Sequence, residues 1–107
     1  MTKDEMFELA NEISDNIRIG AFEALPDHLK FHKREDLSGF LLLDKICARI
    51  PDNNESQSFI SASEHDVVYL SVDVEEIAEV ITEEEIHALI ASGILFSSHE
   101  DCLFLFT

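Results

Sequence analysis

Residues 73–93 read DVEEIAEVITEEEIHALIASG and contain two helix-start signals only nine residues apart. In Asp73 with Glu76, and again in Thr82 with Glu85, a side chain that accepts from backbone N–H groups stands three residues before a Glu that can reach back. This spacing is the signature of a helix N-terminus. A capping residue takes extended backbone, so the second signal must end the helix that the first one opens. Two short helices joined by a tight turn are therefore predicted. The first carries Val74, Ile77, Ala78, Val80 and Ile81; the second spans residues 83–92, keeps Ile86, Leu89 and Ile90 on one face, and stops at Gly93, which suits a left-handed C-terminal cap.

Thr2 with Glu5 gives the same pairing at the start of the chain. Met6, Leu9, Ala10, Ile13, Ile17, Ala21 and Phe22 then recur at helical spacing as far as Pro26, predicting one amphipathic helix over residues 3–24. Residues 28–34 hold three of the seven basic residues and read as a connector with room for one helical turn. A further helix is expected over residues 36–49, capped by Asp36 and stopped before Pro51. Its apolar residues Leu37, Phe40, Leu41, Leu43, Ile46, Cys47 and Ile50 cover more than one face, which should make it the most buried helix. Residues 52–58, DNNESQS, form a polar loop. Residues 67–72, VVYLSV, are β-branched and apolar enough for a strand buried on both faces. Residues 94–96 and 102–106 are short apolar strands around the polar turn SSHED, a hairpin by composition.

A chain of 107 residues suits a single domain. Hydrophobic residues make up 46% of it and eight are Phe, which argues for a packed core, because disordered acidic chains lack apolar and aromatic side chains. The charge is divided unequally. Up to Arg49, seven cations against ten carboxylates give −3; beyond it, thirteen carboxylates with no cation give −13. Such a half repels itself on folding, so a function that uses the negative field is expected. No apolar run approaches the ~18–20 residues of a membrane span. Acids occupy the N-terminal stretch where a signal peptide would carry its apolar core, so the cytoplasm is the expected compartment, with no membrane partner.

Catalytic and metal signals are weak. Cys47 lies in an apolar helical pattern and Cys102 in an apolar strand pattern, where free core thiols are expected. No Gly-rich phosphate loop or Gly-x-Ser-x-Gly turn occurs, and an enzyme is not expected. His28 and His32 have the four-residue spacing of paired metal ligands but lack the Glu that follows the first His in that motif and any evident third ligand. The pairs His65 with Asp66 and His99 with Cys102 carry less signal still. No metal and no cofactor is expected.

From residue 35 onward, helix, strand, two helices separated by one capped turn, and a closing hairpin resemble a winged helix-turn-helix domain. The likeness rests on VVYLSV, the pair VEEIAEVI and TEEEIHALIASG, and ILF with CLFLF around SSHED. It implies an α+β fold: one domain over residues 1–107, made of an N-terminal helical extension, 1–34, and a winged-helix-like unit, 35–107. In DNA-binding members the third helix enters the major groove and the wing touches the backbone. Here those positions carry Glu83, Glu84, Glu85, Glu100 and Asp101, so binding to DNA is not expected. With Glu75, Glu76 and Glu79 they form the candidate partner-binding set. Glu75, Glu79 and Glu83, four apart, would align like charges on one helical face. Carboxylates can occupy sites built for phosphates, because Lys and Arg bind both through charge-assisted hydrogen bonds. The expectation is an acidic inhibitor of a basic, nucleic-acid-binding protein, similar in kind to the small acidic anti-CRISPR and anti-restriction proteins of phages that mimic DNA, acting in the host cytoplasm. The alternative is an adaptor or assembly module that binds a partner or another copy, as a homodimer, through the apolar face of the N-terminal helix. A regulator reading DNA through Lys30, Lys33 and Arg34 would have to overcome a net charge of −16.

Overall fold

In the computed structural model of the protein, residues 1–51, 58–64 and 66–106 are described. Among them the order is α1 (Lys3–Asn16), a 3-10 turn (Asp27–Leu29), α2 (Glu35–Cys47), β1 (Ile60–Glu64), β2 (Val67–Leu70), α3 (Val74–Val80), α4 (Glu83–Ala91), β3 (Leu95–Ser97) and β4 (Cys102–Phe106). The four strands make one antiparallel sheet in the order β1-β2-β4-β3, and the fold is α+β. The expected polar loop lies, apart from Ser58, outside the described residues, as does His65.

The capping signals position the helices as their chemistry requires. Thr2 Oγ1 accepts from Glu5 N at 3.2 Å while Glu5 Oε1 accepts from Thr2 N at 2.9 Å. Asp73 Oδ1 accepts from the Glu75 and Glu76 amides. Thr82 and Glu85 repeat the reciprocal pair, and Ile81 between the two helices is extended at φ −78°, ψ 148°. Gly93, at φ +93°, ends α4 as expected.

Expectations about three elements need correction: the first helix, α2 and the sheet. The first helix stops at Asn16, not near residue 24: Asn16 Nδ2 donates to Glu12 O at 2.8 Å, Ile17 turns extended, and Gly20 adopts φ +85°. The chain then folds through tight turns, with Ala24 N bonded to Gly20 O and Leu25 N to Phe22 O, which carries Phe22 and Leu25 into the core. α2 is not capped by Asp36, which lies in its first turn and accepts from Leu37 N; Arg34 is the N-cap and makes no side-chain cap bond. Nor is α2 the most buried helix: six of its 13 residues are buried against five of 9 in α4, and Leu37 and Leu41 are exposed while Leu42, Leu43, Ile46 and Cys47 are buried.

The third correction concerns the sheet. β2 is buried only at Leu70, with Val67, Val68 and Tyr69 half-buried. Register and side-chain alternation place Leu70, Leu103 and Phe96 on the inner face, which joins the core; Tyr69 and Phe104 fall on the other, and Phe106 there is 63% exposed. β1 was not anticipated: ISASE is mostly polar, as an edge strand can be, and it pairs with β2 through an irregularity between Ile60 and Ala62.

One core unites these elements. Met6, Phe7 and Ala10 of α1 are buried with Leu42, Leu43 and Ile46 of α2, Ile77 of α3, and Ile86 and Leu89 of α4. The Phe7 ring meets Phe96 of β3 edge to face, with centroids 6.4 Å apart. The N-terminal helix therefore turns Met6, Phe7 and Ala10 inside the molecule, with Leu9 and Ile13 half-buried beside them. α2 crosses the end of α4 closely, and Gly39 makes this possible: a Cβ there would stand 3.0 Å from both Ile94 Cδ1 and Ser92 Cβ. Cys47 and Cys102 are both free thiols. Burial, with a smaller push from Asp44, raises the Cys47 thiol to about 11.

Candidate partner-binding face

The eight candidate carboxylates separate into groups with different chemistry. Glu85 leaves the set. It is 9% exposed and bound on both sides: Arg49 Nη1 donates to its Oε2 at 2.9 Å, Arg49 Nη2 donates to its Oε1 at 2.5 Å, and the Thr82 amide donates to Oε1 at 3.0 Å. Arg49 Nη2 also donates to Val80 O at 2.9 Å. The side chain thus joins the end of α2 to the turn between α3 and α4. Desolvation pushes the Glu85 carboxyl up, but the hydrogen bonds from Arg49 and Thr82 outweigh it and hold the group below its ordinary value. A carboxylate that already accepts three hydrogen bonds and is 9% exposed has little left to offer a partner.

A second group surrounds Lys3. Its Nζ lies 3.1 Å from Asp101 Oδ1 and 3.7 Å from Glu75 Oε1, so the start of α3 and the β3–β4 turn meet at one cation. The hydrogen bond to Asp101 is the main cause raising the Lys3 ammonium, opposed by burial. Asp101 itself has φ 57°, a left-handed turn position that Asp tolerates. The acidic half therefore does have counterions, and they come from the half that carries the cations: Lys3 from α1 and Arg49 from beyond α2. Sequence distance concealed both pairs.

The remaining carboxylates are open. Glu76 and Glu79 on α3, Glu83 and Glu84 in the first turn of α4, and Glu100 in the hairpin turn are exposed, and no Lys or Arg among the described residues approaches any of them within 4.0 Å. Glu84 has one ion-pair neighbour, His28 Nε2 at 3.6 Å. The expected run of Glu75, Glu79 and Glu83 on a single helix is not formed, because the extended backbone at Ile81 and Thr82 separates the first two from the third. His28 and His32 share no helical face either: the 3-10 turn ends at Leu29, and His32 Nδ1 accepts from Arg34 N at 3.0 Å. Among the described residues no helix is long and apolar enough to cross a membrane, and no three His, Cys, Asp or Glu side chains converge as metal ligands would.

Chemically, this surface can present charge-assisted hydrogen-bond acceptors to Lys and Arg along α3, the start of α4 and the hairpin turn. Comparison with protein-family models, with curated proteins and with solved structures finds no match for this chain.

Proposed function

We propose that the protein is a non-enzymatic, acidic inhibitor that occupies a basic, nucleic-acid-binding surface of a partner protein, a DNA mimic of the anti-CRISPR or anti-restriction kind, working in the host cytoplasm. The observation that carries this is the placement of the open carboxylates. Glu76, Glu79, Glu83, Glu84 and Glu100 stand on the two short helices and the hairpin turn with no Lys or Arg of the described residues beside them. We read residues 35–107 as a winged-helix-like unit, supported by the order α2, β1, β2, α3, α4, β3, β4, in which β1 is an additional edge strand, and by β2 pairing with β4 rather than β3. On that reading the first turn of α4 and the hairpin turn are where a DNA reader would set its cations, and here both offer acceptors to the partner's own Lys and Arg.

The adaptor alternative is less well supported, because Met6, Phe7 and Ala10 of α1 are buried and only Leu9, Ile13 and Ile17 of that stripe stay half-buried. The test is a pull-down from host extract with the wild-type chain and with Glu79, Glu83 and Glu84 all reversed to Lys, at low and high salt. The reversal should abolish capture of a basic protein, and wild-type capture should fall steeply with salt, since exposed charge attraction is screened over about 8–10 Å. A suitable control reverses Glu8, Asp15 and Asp44, which are exposed and lie outside the caps; Glu5 is unsuitable, because it closes the α1 capping box. Equal capture by both triple variants, or micromolar binding of the wild type to duplex DNA, would overturn the mimic.

A further inference from the structure

Between the end of α1, the 3-10 turn and the first half of α4 runs an open groove of about 410 Å³. Ile13, Leu25 and Leu29 make an apolar floor, and Glu83, Glu84 and His87 stand along one wall. A second hollow of about 270 Å³ shares Ile13 and His87 and adds Glu12, so the depression continues along α1. Glu83 and Glu84 have no Lys or Arg within 4.0 Å among the described residues, and His28 Nε2, on the 3-10 turn, lies 3.6 Å from Glu84 Oε2.

An apolar floor beside carboxylates that no described Lys or Arg meets narrows the occupant. An anion is repelled. A purely apolar ligand would cover the floor and strip water from the carboxylates without replacing it, which costs free energy. A purely polar cation satisfies the wall and leaves the floor wet. A second copy of this chain brings another −16 against the same wall. What satisfies both surfaces is a segment that carries a large apolar side chain flanked by Lys or Arg, as one face of a basic amphipathic helix does.

We propose that this groove docks a basic amphipathic segment of a partner protein, its apolar side chain seated on Ile13, Leu25 and Leu29 and its Lys or Arg on Glu83 and Glu84. The inference rests on the reading of the acidic surface as partner-binding and adds the apolar half of the recognition. The wall supplies attraction over a distance, and the floor supplies selection at contact.

The test uses the full chain and two fluorescent probes, an amphipathic Leu/Lys helical peptide and an oligolysine of equal charge, read by anisotropy. Ala24→Phe fills the groove without changing charge, since Ala24 lines it and is exposed. Glu83→Gln with Glu84→Gln removes the charge and leaves the shape. The Leu/Lys peptide should bind about tenfold more tightly than oligolysine, a difference of about 1.4 kcal/mol. Ala24→Phe should erase that advantage without touching oligolysine, and the double Gln variant should weaken both probes; circular dichroism checks that each variant is folded. If the two probes bind alike and Ala24→Phe changes nothing, the groove proposal fails while the acidic surface stands. If neither probe binds at about physiological salt, both fail. Binding lost in Ala24→Phe but kept in the double Gln variant overturns the basic occupant, and a wild-type dimer that dissociates in Ala24→Phe assigns the groove to a second copy instead.

Discussion

Arg49 shows how one side chain can change the meaning of an acidic run. It is the last cation in the sequence, and it spends its guanidinium on Glu85 and on Val80 O, closing the turn between α3 and α4 from outside. Arg49→Met should therefore destabilise the protein by about 1.5–2 kcal/mol, the lower part of the range for hydrogen bonds to charged groups, because the Arg49 side chain is 42% exposed and partly screened. The loss should depend on pH with a definite sign. Glu85 has a folded-state carboxyl below its ordinary value, so its contribution is complete above the unfolded value and disappears as pH falls through the folded one. Urea midpoints of wild type and Arg49→Met should differ most near neutrality and converge as pH falls past the ordinary Glu value of about 4.3 and through the lower folded one. A gap that stays constant into acid would mean that Arg49 acts through packing of its stem and not through Glu85.

At the scale of elements, Thr82 is the decisive position, because its extended backbone makes two helices out of one acidic stretch. Thr82→Ala should cost about 0.5–2 kcal/mol in urea unfolding, the range for loss of an N-cap. An unchanged midpoint would mean that Glu85 and Arg49 hold the turn without the hydroxyl. The caps at Thr2, Asp73 and Thr82 were legible in the sequence, and so were α4, β4 and the closing hairpin, since each depends on side chains within a few residues of the backbone they serve. What was not legible depends on distant partners. The apolar spacing of Ile17, Ala21 and Phe22 continues the helical pattern of α1, yet the chain turns at Ile17 and Gly20 so that Phe22 and Leu25 reach the core by another route. β1 was hidden because ISASE has little to bury, and its pairing comes from β2. Leu37 and Leu41 look like core residues by type and are exposed by position. In the candidate site, the open carboxylates were readable as a charge run, whereas the withdrawal of Glu85, the gathering of Glu75 and Asp101 on Lys3, and the apolar floor beside Glu83 all needed the fold.

Across the whole molecule, the formal charge of −16 is relieved at few points: the described Lys and Arg that pair with carboxylates are Lys3, with Glu75 and Asp101, and Arg49, with Glu85. The balance between those attractions and the remaining repulsion sets how the protein responds to salt. Screening shortens the reach of charge from about 30 Å at 0.01 M to about 8 Å at 0.15 M. It weakens the many repulsions among open carboxylates, which act over long distances, more than it weakens Arg49 with Glu85, which is short, bidentate and sheltered from water on the Glu85 side. The Lys3 contacts are partly exposed and should lose a few tenths of a kcal/mol at most. Stability in urea should therefore rise as sodium chloride increases over this range, and the rise should shrink in a variant with Glu76, Glu79 and Glu84 changed to Gln, which carries less repulsion to screen. Urea is the suitable denaturant because it adds no ions of its own. A midpoint that falls with salt would mean that the ion pairs outweigh the repulsion, and the open carboxylates would then be too far apart to form the concentrated field that binding to a basic partner requires.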